Sequence, residues 1–249
     1  MKKIVSLIIF VSLILGCAQR VDKSKIAESH YKLGLAYLSS ENDFRALGEF
    51  EEALKYNPKD DRIYYAISAF YLKKNMIGKA EQYIIKALSI SPNNSEYLNT
   101  YASILAAKGD LENAILNWKK ILNDPTYPNI PLVYYNIGLA YYNMNDYEEA
   151  KKYFKSSIRA NRFFVNSYLM LYEIYNKEMN MAEAEKILKK AVDNNPASRV
   201  LMLKLGEHYY NEKKYNDAAS VFEDIIIKFP KSEEAKKAAT YLKSLGIYK

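Results

Sequence analysis

Near its start the chain has a predominantly apolar run, Ile4–Leu15, broken only by Ser6 and Ser12. It passes through a short polar stretch, Ala18–Ile26, and then settles into a recurring alternation of small, aromatic and charged positions. The clearest copy of that alternation is Pro131–Phe164, which reads PLVYYNIGLAYYNMNDYEEAKKYFKSSIRANRFF. Its spacing predicts a first helix carrying Ile137-Gly138 and Tyr141. A turn follows at Asn145-Asp146, and then a second helix carries Ala150 and Phe154. Aligned on these positions, units start at Ala27, Asp61, Ser95, Pro131, Val165 and Arg199, with a closing helix from Glu233. The spacings are 34, 34, 36, 34, 34 and 34 residues.

Each recurrent position has a physical role. The eighth is small where the two helices of a hairpin cross: Gly34, Ser68, Ala102, Gly138 and Gly206, with Tyr172 the exception. The twentieth is always alanine (Ala46, Ala80, Ala114, Ala150, Ala184, Ala218). A leucine there would overpack the crossing by about 1–3 kcal/mol. The eleventh is Tyr37, Tyr71, Leu105, Tyr141, Tyr175 and Tyr209, large side chains that fill the gap between hairpins. Pro58, Pro92, Pro196 and Pro230 stop second helices. Glu233–Tyr248 has Ala235, Ala238, Ala239, Leu242 and Leu245 at helical spacing with lysines between, as the exposed end of a repeat array requires.

This pattern resembles the tetratricopeptide repeat, a 34-residue helix–turn–helix unit. The resemblance implies an all-α fold: a right-handed superhelical solenoid of six repeats over 27–249, including the capping helix at 233–248. In such an array each repeat packs on its neighbours and no single central core forms. The Gly 8 and Pro 7 count is low, as expected of a mostly helical chain.

The leader has its own signature. Met1-Lys2-Lys3 is basic, and the twelve-residue apolar run after it is too short to span a bilayer comfortably. They end in Ile14-Leu15-Gly16-Cys17, which resembles the lipobox of bacterial lipoproteins, although Leu15 is larger than the usual residue at its position. That resemblance implies a signal peptide at 1–16, lipidation of Cys17 (diacylglycerol and palmitate-type chains) and a tether over 17–26. Ala18 after the cysteine, rather than Asp, resembles an outer-membrane address. Cys17 is the only cysteine, so an internal disulfide is excluded.

Charge adds little. The net charge is +7, and without Lys2 and Lys3 it is about +5, spread as lysines mixed with glutamates along helix faces. That is a solvated surface, and no nucleic-acid partner is expected. Catalysis is not expected either. His30 and His208 belong to repeats one and six, too far apart in a solenoid to share a metal or a triad. The glycines are single, so no phosphate-cradling loop exists. No cofactor, metal or small-molecule substrate is expected.

In this repeat class the first helices line a concave groove. The candidate partner-binding residues are Tyr31, Leu35, Leu38, Arg62, Tyr65, Leu72, Asn99, Tyr135, Leu139 and Tyr142. Apolar and aromatic side chains in such a groove suit an amphipathic or extended peptide. One place breaks phase: Pro125, Pro128 and Pro131 stretch the third period to 36. Tyr127 and Pro128 are either part of a tolerated loop or a fixed elbow between two three-repeat halves.

With leader, repeat number and length together, the chain resembles the type IV pilus pilotin lipoproteins. Two stretches carry the match beyond repeat consensus. One is Asp124-Pro-Thr-Tyr-Pro128. The other is Ala150-Lys-Lys-Tyr-Phe154 through Ser157-Ile-Arg159-Ala-Asn-Arg162. The implied role is to help a secretin, the pilus exit channel, reach or assemble in the outer membrane from the periplasmic side. The alternative is an adaptor for other envelope machinery, such as outer-membrane-protein assembly or murein enzymes.

Overall fold

The computed structural model describes residues 22–247, so the leader, Cys17 and Tyr248 lie outside the described residues. Among those described there are thirteen helices and no strand, grouped as six helical hairpins and a closing helix. The hairpins are α1 (Lys23–Ser39) with α2 (Asp43–Tyr56), α3 (Asp61–Lys73) with α4 (Ile77–Ile90), and α5 (Ser95–Ala107) with α6 (Leu111–Ile121). Then come α7 (Ile130–Asn143) with α8 (Tyr147–Ala160), α9 (Val165–Lys177) with α10 (Met181–Asn194), and α11 (Arg199–Asn211) with α12 (Tyr215–Lys228). The closing helix is α13 (Glu233–Ser244).

Each hairpin is closed by its crossing residues. All six alanines at the twentieth position are fully buried. Gly34, Gly138 and Gly206 lie against the rings of Phe50, Phe154 and Phe222, so closely that a Cβ would sit 2.6, 2.7 and 2.5 Å from the nearest ring carbon. In the second repeat Ser68 is buried instead and its hydroxyl donates to the Ala80 carbonyl at 2.8 Å. That bond satisfies a polar group that would otherwise be costly to bury.

The turns repeat as regularly as the helices. The fifteenth residue of every repeat has positive φ: Glu41, Asn75, Gly109, Asn145, Met179 and Lys213, at 58°, 56°, 86°, 62°, 57° and 60°. A left-handed residue ends the first helix and lets the chain reverse at once. Second helices end at Tyr56, Ile90, Asn194 and Lys228, each two residues ahead of a proline. The residue before the proline is driven out of helical geometry by the pyrrolidine ring.

Three boundaries differ from the sequence reading. Asp22 caps α1 by accepting from the Ser24 and Lys25 amides at 3.1 and 3.3 Å, so Lys23–Ile26 form its first turn rather than a tether. The closing helix ends at Ser244, not 248, because Gly246 takes φ 75° and the Ile247 amide returns to the Leu242 carbonyl at 3.0 Å. The proline-rich break does not separate two halves. The described residues fall into two compact units, one ending at Tyr97 and one starting at Leu98, and residues 125–131 lie within the second.

Inside that unit the break is a pinned loop. The Asp124 carboxylate accepts from the Thr126 amide (3.0 Å) and hydroxyl (2.6 Å), and the Tyr127 amide donates to the Asp124 carbonyl (3.3 Å). Tyr127 itself is 8% exposed, so its ring packs in the core, while Pro128 is exposed. Pro131 enters the first turn of α7, where its missing N–H costs nothing.

Candidate protein-interaction groove

In the first unit the groove residues come from α1, α3 and the start of α5. The Arg62 guanidinium lies over the Tyr31 ring, 5.0 Å from its centroid, and its Nη2 donates to Glu28 at 2.9 Å and Asp60 at 2.7 Å. The Asp60 and Glu28 carboxylates raise the Arg62 pKa further, and Arg62 in turn holds the Glu28 carboxyl below its ordinary range. Burial pushes the Tyr31 phenol up. Tyr31 also meets the Phe50 ring at 6.1 Å. Tyr65 stacks on Tyr97 at 4.9 Å and its hydroxyl donates to Glu96 at 3.2 Å. Burial pushes the Tyr97 phenol up too, with Asp61 adding to it. Leu35 is 39% exposed, and Leu38 and Leu72 are half-buried. The structure therefore joins Tyr31 to Arg62, whose charge is already shared between two carboxylates.

In the second unit the relevant helices are α5, α7 and α9. Asn99 is committed within its own hairpin, since its side-chain oxygen accepts from the Trp118 indole at 3.0 Å. Trp118 is thereby held at the base of a cavity of about 240 Å³ lined by Ser103, Ala106, Leu111, Asn136 and Leu139 among others. The sequence marked Leu139 for the groove but not the cavity. Ser103 and Ala106 are small where the first and fourth repeats carry Leu35 and Leu38, or Leu139 and Tyr142, which leaves room for it. Tyr135 packs between Phe154 (5.7 Å) and Phe164 (5.4 Å), and this burial raises its pKa. The Tyr142 hydroxyl donates to Glu173, which raises its pKa, and the Lys177 ammonium lies 4.6 Å from its ring centroid.

Within the stretch that resembled the pilotin motif, Ser157 is buried while Lys152, Lys155, Arg159 and Arg162 are exposed. The Ser157 hydroxyl donates to the Pro131 carbonyl at 2.8 Å and accepts from the Ser167 hydroxyl at 2.8 Å, so it ties α7, α8 and α9 together. The Tyr168 hydroxyl donates to the Arg162 carbonyl at 3.0 Å and accepts from Asn194 at 3.0 Å.

Both histidines make contacts within the array. His30 Nδ1 is 2.6 Å from Glu49, and its ring stacks on Tyr56 at 5.9 Å. His208 is buried against Tyr172 and Tyr209. Among the described residues no three His, Cys, Asp or Glu side chains converge on one point.

Models of the tetratricopeptide repeat match residues 27–60, 45–104, 131–164 and 177–240, and the matches at 27–60 and 131–164 each cover one hairpin. The chain belongs to the tetratricopeptide-repeat family. This repeat protein is 24% identical over 164 residues to the type IV pilus assembly protein PilF of Pseudomonas aeruginosa. The match covers 66% of this chain and 65% of that protein's length. The solved structure of PilF superposes with a TM-score of 0.66 at 23% identity, covering 86% of this chain and 97% of that one. The structure of PilW, a type IV pilus biogenesis factor, gives 0.65 at 22% identity, with 85% and 97% covered. YrrB, a repeat protein with an unusual peptide-binding site, gives 0.53 at 16% identity, with 77% and 97% covered.

Proposed function

We propose that the chain is a membrane-anchored scaffold of the type IV pilus pilotin kind, which captures a segment of a secretin on its first-helix face. The observation that carries the reading is the cavity beside Trp118. A first-helix surface with a preformed hole of about 240 Å³ has room for one large side chain of a bound segment. Aromatic or aliphatic anchors entering such holes dominate peptide affinity. Leu139 and Ala140 give the hole an apolar wall, and Asn136 and Asn143 lie at the same hole with amides for a peptide backbone. The likeness to PilF and PilW points to the same process.

Anchoring follows from the leader. Lipid on Cys17 holds the array at the outer membrane on its periplasmic side, where each buried methylene contributes about 0.8 kcal/mol. Confinement then raises the effective concentration of the groove for its target. Binding and release need no chemistry from the chain, so the scaffold acts without a catalytic group.

Deletion of the gene tests this reading. SDS-resistant secretin multimers should disappear from the outer membrane while secretin monomer remains, and a Cys17→Ala chain should fail to restore them. Persistence of multimers after deletion would overturn it. A photoreactive residue at Tyr65 then identifies the bound protein, and crosslinks to murein enzymes or barrel-assembly components would instead favour a general envelope adaptor.

A further inference from the structure

We propose a second docking site on the opposite kind of helix: a basic cleft between α8 and α10 that receives an acidic amphipathic segment of a partner protein. The cleft is a cavity of about 550 Å³ inside the second unit. Lys152, Lys155 and Arg159 reach it from α8, and Lys186 and Lys190 reach it from α10. These sit three or four residues apart, so each trio or pair shares one helix face. The floor is apolar: Ile158, Leu171, Tyr175 and Ile187.

The charge there is one-sided. Glu183 is the single carboxylate among the lining residues, and Lys186 already pairs with it at 2.9 Å. Lys152 pairs with Glu149 outside the cleft. Arg159 touches only the Ser156 hydroxyl, at 2.8 Å, and Lys155 lies 5.9 Å from the Tyr175 ring centroid. Among the described residues neither of these, nor Lys190, has a carboxylate partner. Elsewhere on α10 charge is balanced: Lys189, with Lys214 from the turn before α12, holds the Glu185 carboxyl down to about 2.

The occupant follows from this layout. Cations at the rim and an apolar floor below them call for a ligand with an apolar anchor flanked by carboxylates, which is an acidic amphipathic helix. A bilayer is nearly flat on this scale, so it would meet the rim cations but not the recessed floor. Its cations stand on second helices, α9 supplies Leu171 and Tyr175 to the floor, and no lining residue belongs to the first-helix groove, so the site stands or falls independently of the proposal above.

The test is a fluorescence-anisotropy titration of the full chain with a labelled helical peptide of Glu, Ala and Leu, its leucines one turn apart. Saturable binding that weakens as salt rises is expected. The triple variant Lys155→Gln, Arg159→Gln, Lys190→Gln should weaken it about tenfold, from three exposed ion pairs. A control triple with the same charge loss, Lys120→Gln, Lys213→Gln, Lys237→Gln, should leave it unchanged, with circular dichroism showing all three chains folded alike. Equal weakening by both triples would overturn the proposal. So would undiminished binding of a peptide with Gln for every Glu, or cleft-dependent binding to phosphatidylglycerol vesicles with none to the peptide.

Discussion

In the fourth repeat Gly138 lies against Phe154 so closely that a Cβ would sit 2.7 Å from Cε1 of the ring. The same pair recurs as Gly34 with Phe50 and Gly206 with Phe222. Where the eighth position is larger, the twenty-fourth is not phenylalanine: Ser68 goes with Ile84, and Tyr172 with Leu188. Gly138→Ala gains about 1 kcal/mol of helix propensity but overpacks the crossing by about 1–3 kcal/mol. The clash is the larger effect, because a ring, and not a flexible tip, must move. Chemical denaturation should show net destabilisation of Gly138→Ala. Adding Phe154→Leu should cost less in that background than in the wild type.

The left-handed turns give a prediction of opposite sign. Met179 and Lys213 adopt φ 57° and 60° with ordinary side chains, at the position Gly109 occupies in repeat three. Such geometry costs a non-glycine residue about 1–2 kcal/mol, partly offset by the extra unfolded-state freedom of glycine. Met179→Gly and Lys213→Gly should each raise the denaturation midpoint, by about 0.5–1 kcal/mol in stability. Gly109→Ala should lower it by a similar amount.

These two relationships also mark how far the sequence could be read. The register was visible because alanine recurs at the twentieth position without exception. The left-handed residue was only half visible: Asn75, Gly109 and Asn145 have turn identities, but Glu41, Met179 and Lys213 do not. The twenty-fourth position varies and reads as an ordinary apolar site, so its coupling to the eighth needs coordinates. The candidate groove residues lie on first helices, but their commitments within the array are not legible in the sequence. Asn99 serves Trp118, Arg62 serves Glu28 and Asp60, and Tyr142 serves Glu173. Apart from Arg62 with Asp60, these partners lie roughly a half or a whole repeat away, and no local pattern announces them.

Tyr127 shows the same limit. The sequence leaves it in either a tolerated loop or a fixed elbow, and its ring is buried in the second unit. Tyr127→Ala should therefore lower stability by about 3 kcal/mol, as large-to-small aromatic changes in cores do. Ser157→Ala should cost about 1–2 kcal/mol, because it strands the Pro131 carbonyl and the Ser167 hydroxyl. Thermal unfolding of both variants checks this. A Tyr127→Ala chain that melts like wild type but fails to assemble its partner would restore the elbow reading.

His208 makes stability depend on pH. Burial lowers its pKa below the ordinary value near 6.5, and Nε2 has no hydrogen-bond partner. The groups acting on it through space are Glu212, Glu185 and Lys214, and burial outweighs them. The folded chain therefore keeps the ring neutral, while the unfolded chain takes up a proton as pH falls through about 6.5. Stability from this group is complete above that pH and is lost as pH falls toward the depressed folded value. His208→Phe should be flatter across this window, so its stability relative to wild type should rise between pH 7.5 and 5.5.

The last prediction separates binding from folding in the groove. Ser103 is exposed on α5 and borders the cavity beside Trp118. Ser103→Phe places a ring in a space of about 240 Å³ that the fold leaves empty. No packed residue is displaced, so the melting temperature should stay within the small range typical of surface changes, about ±0.5 kcal/mol in stability. An anchor side chain of the bound segment would lose its hole, at a cost of about 2 kcal/mol or more. Capture of a secretin segment by the purified chain should then weaken at least about thirtyfold. Undiminished capture by a folded Ser103→Phe chain would move the binding surface away from repeats three and four, leaving the Tyr31–Arg62 face of the first unit as the place to look.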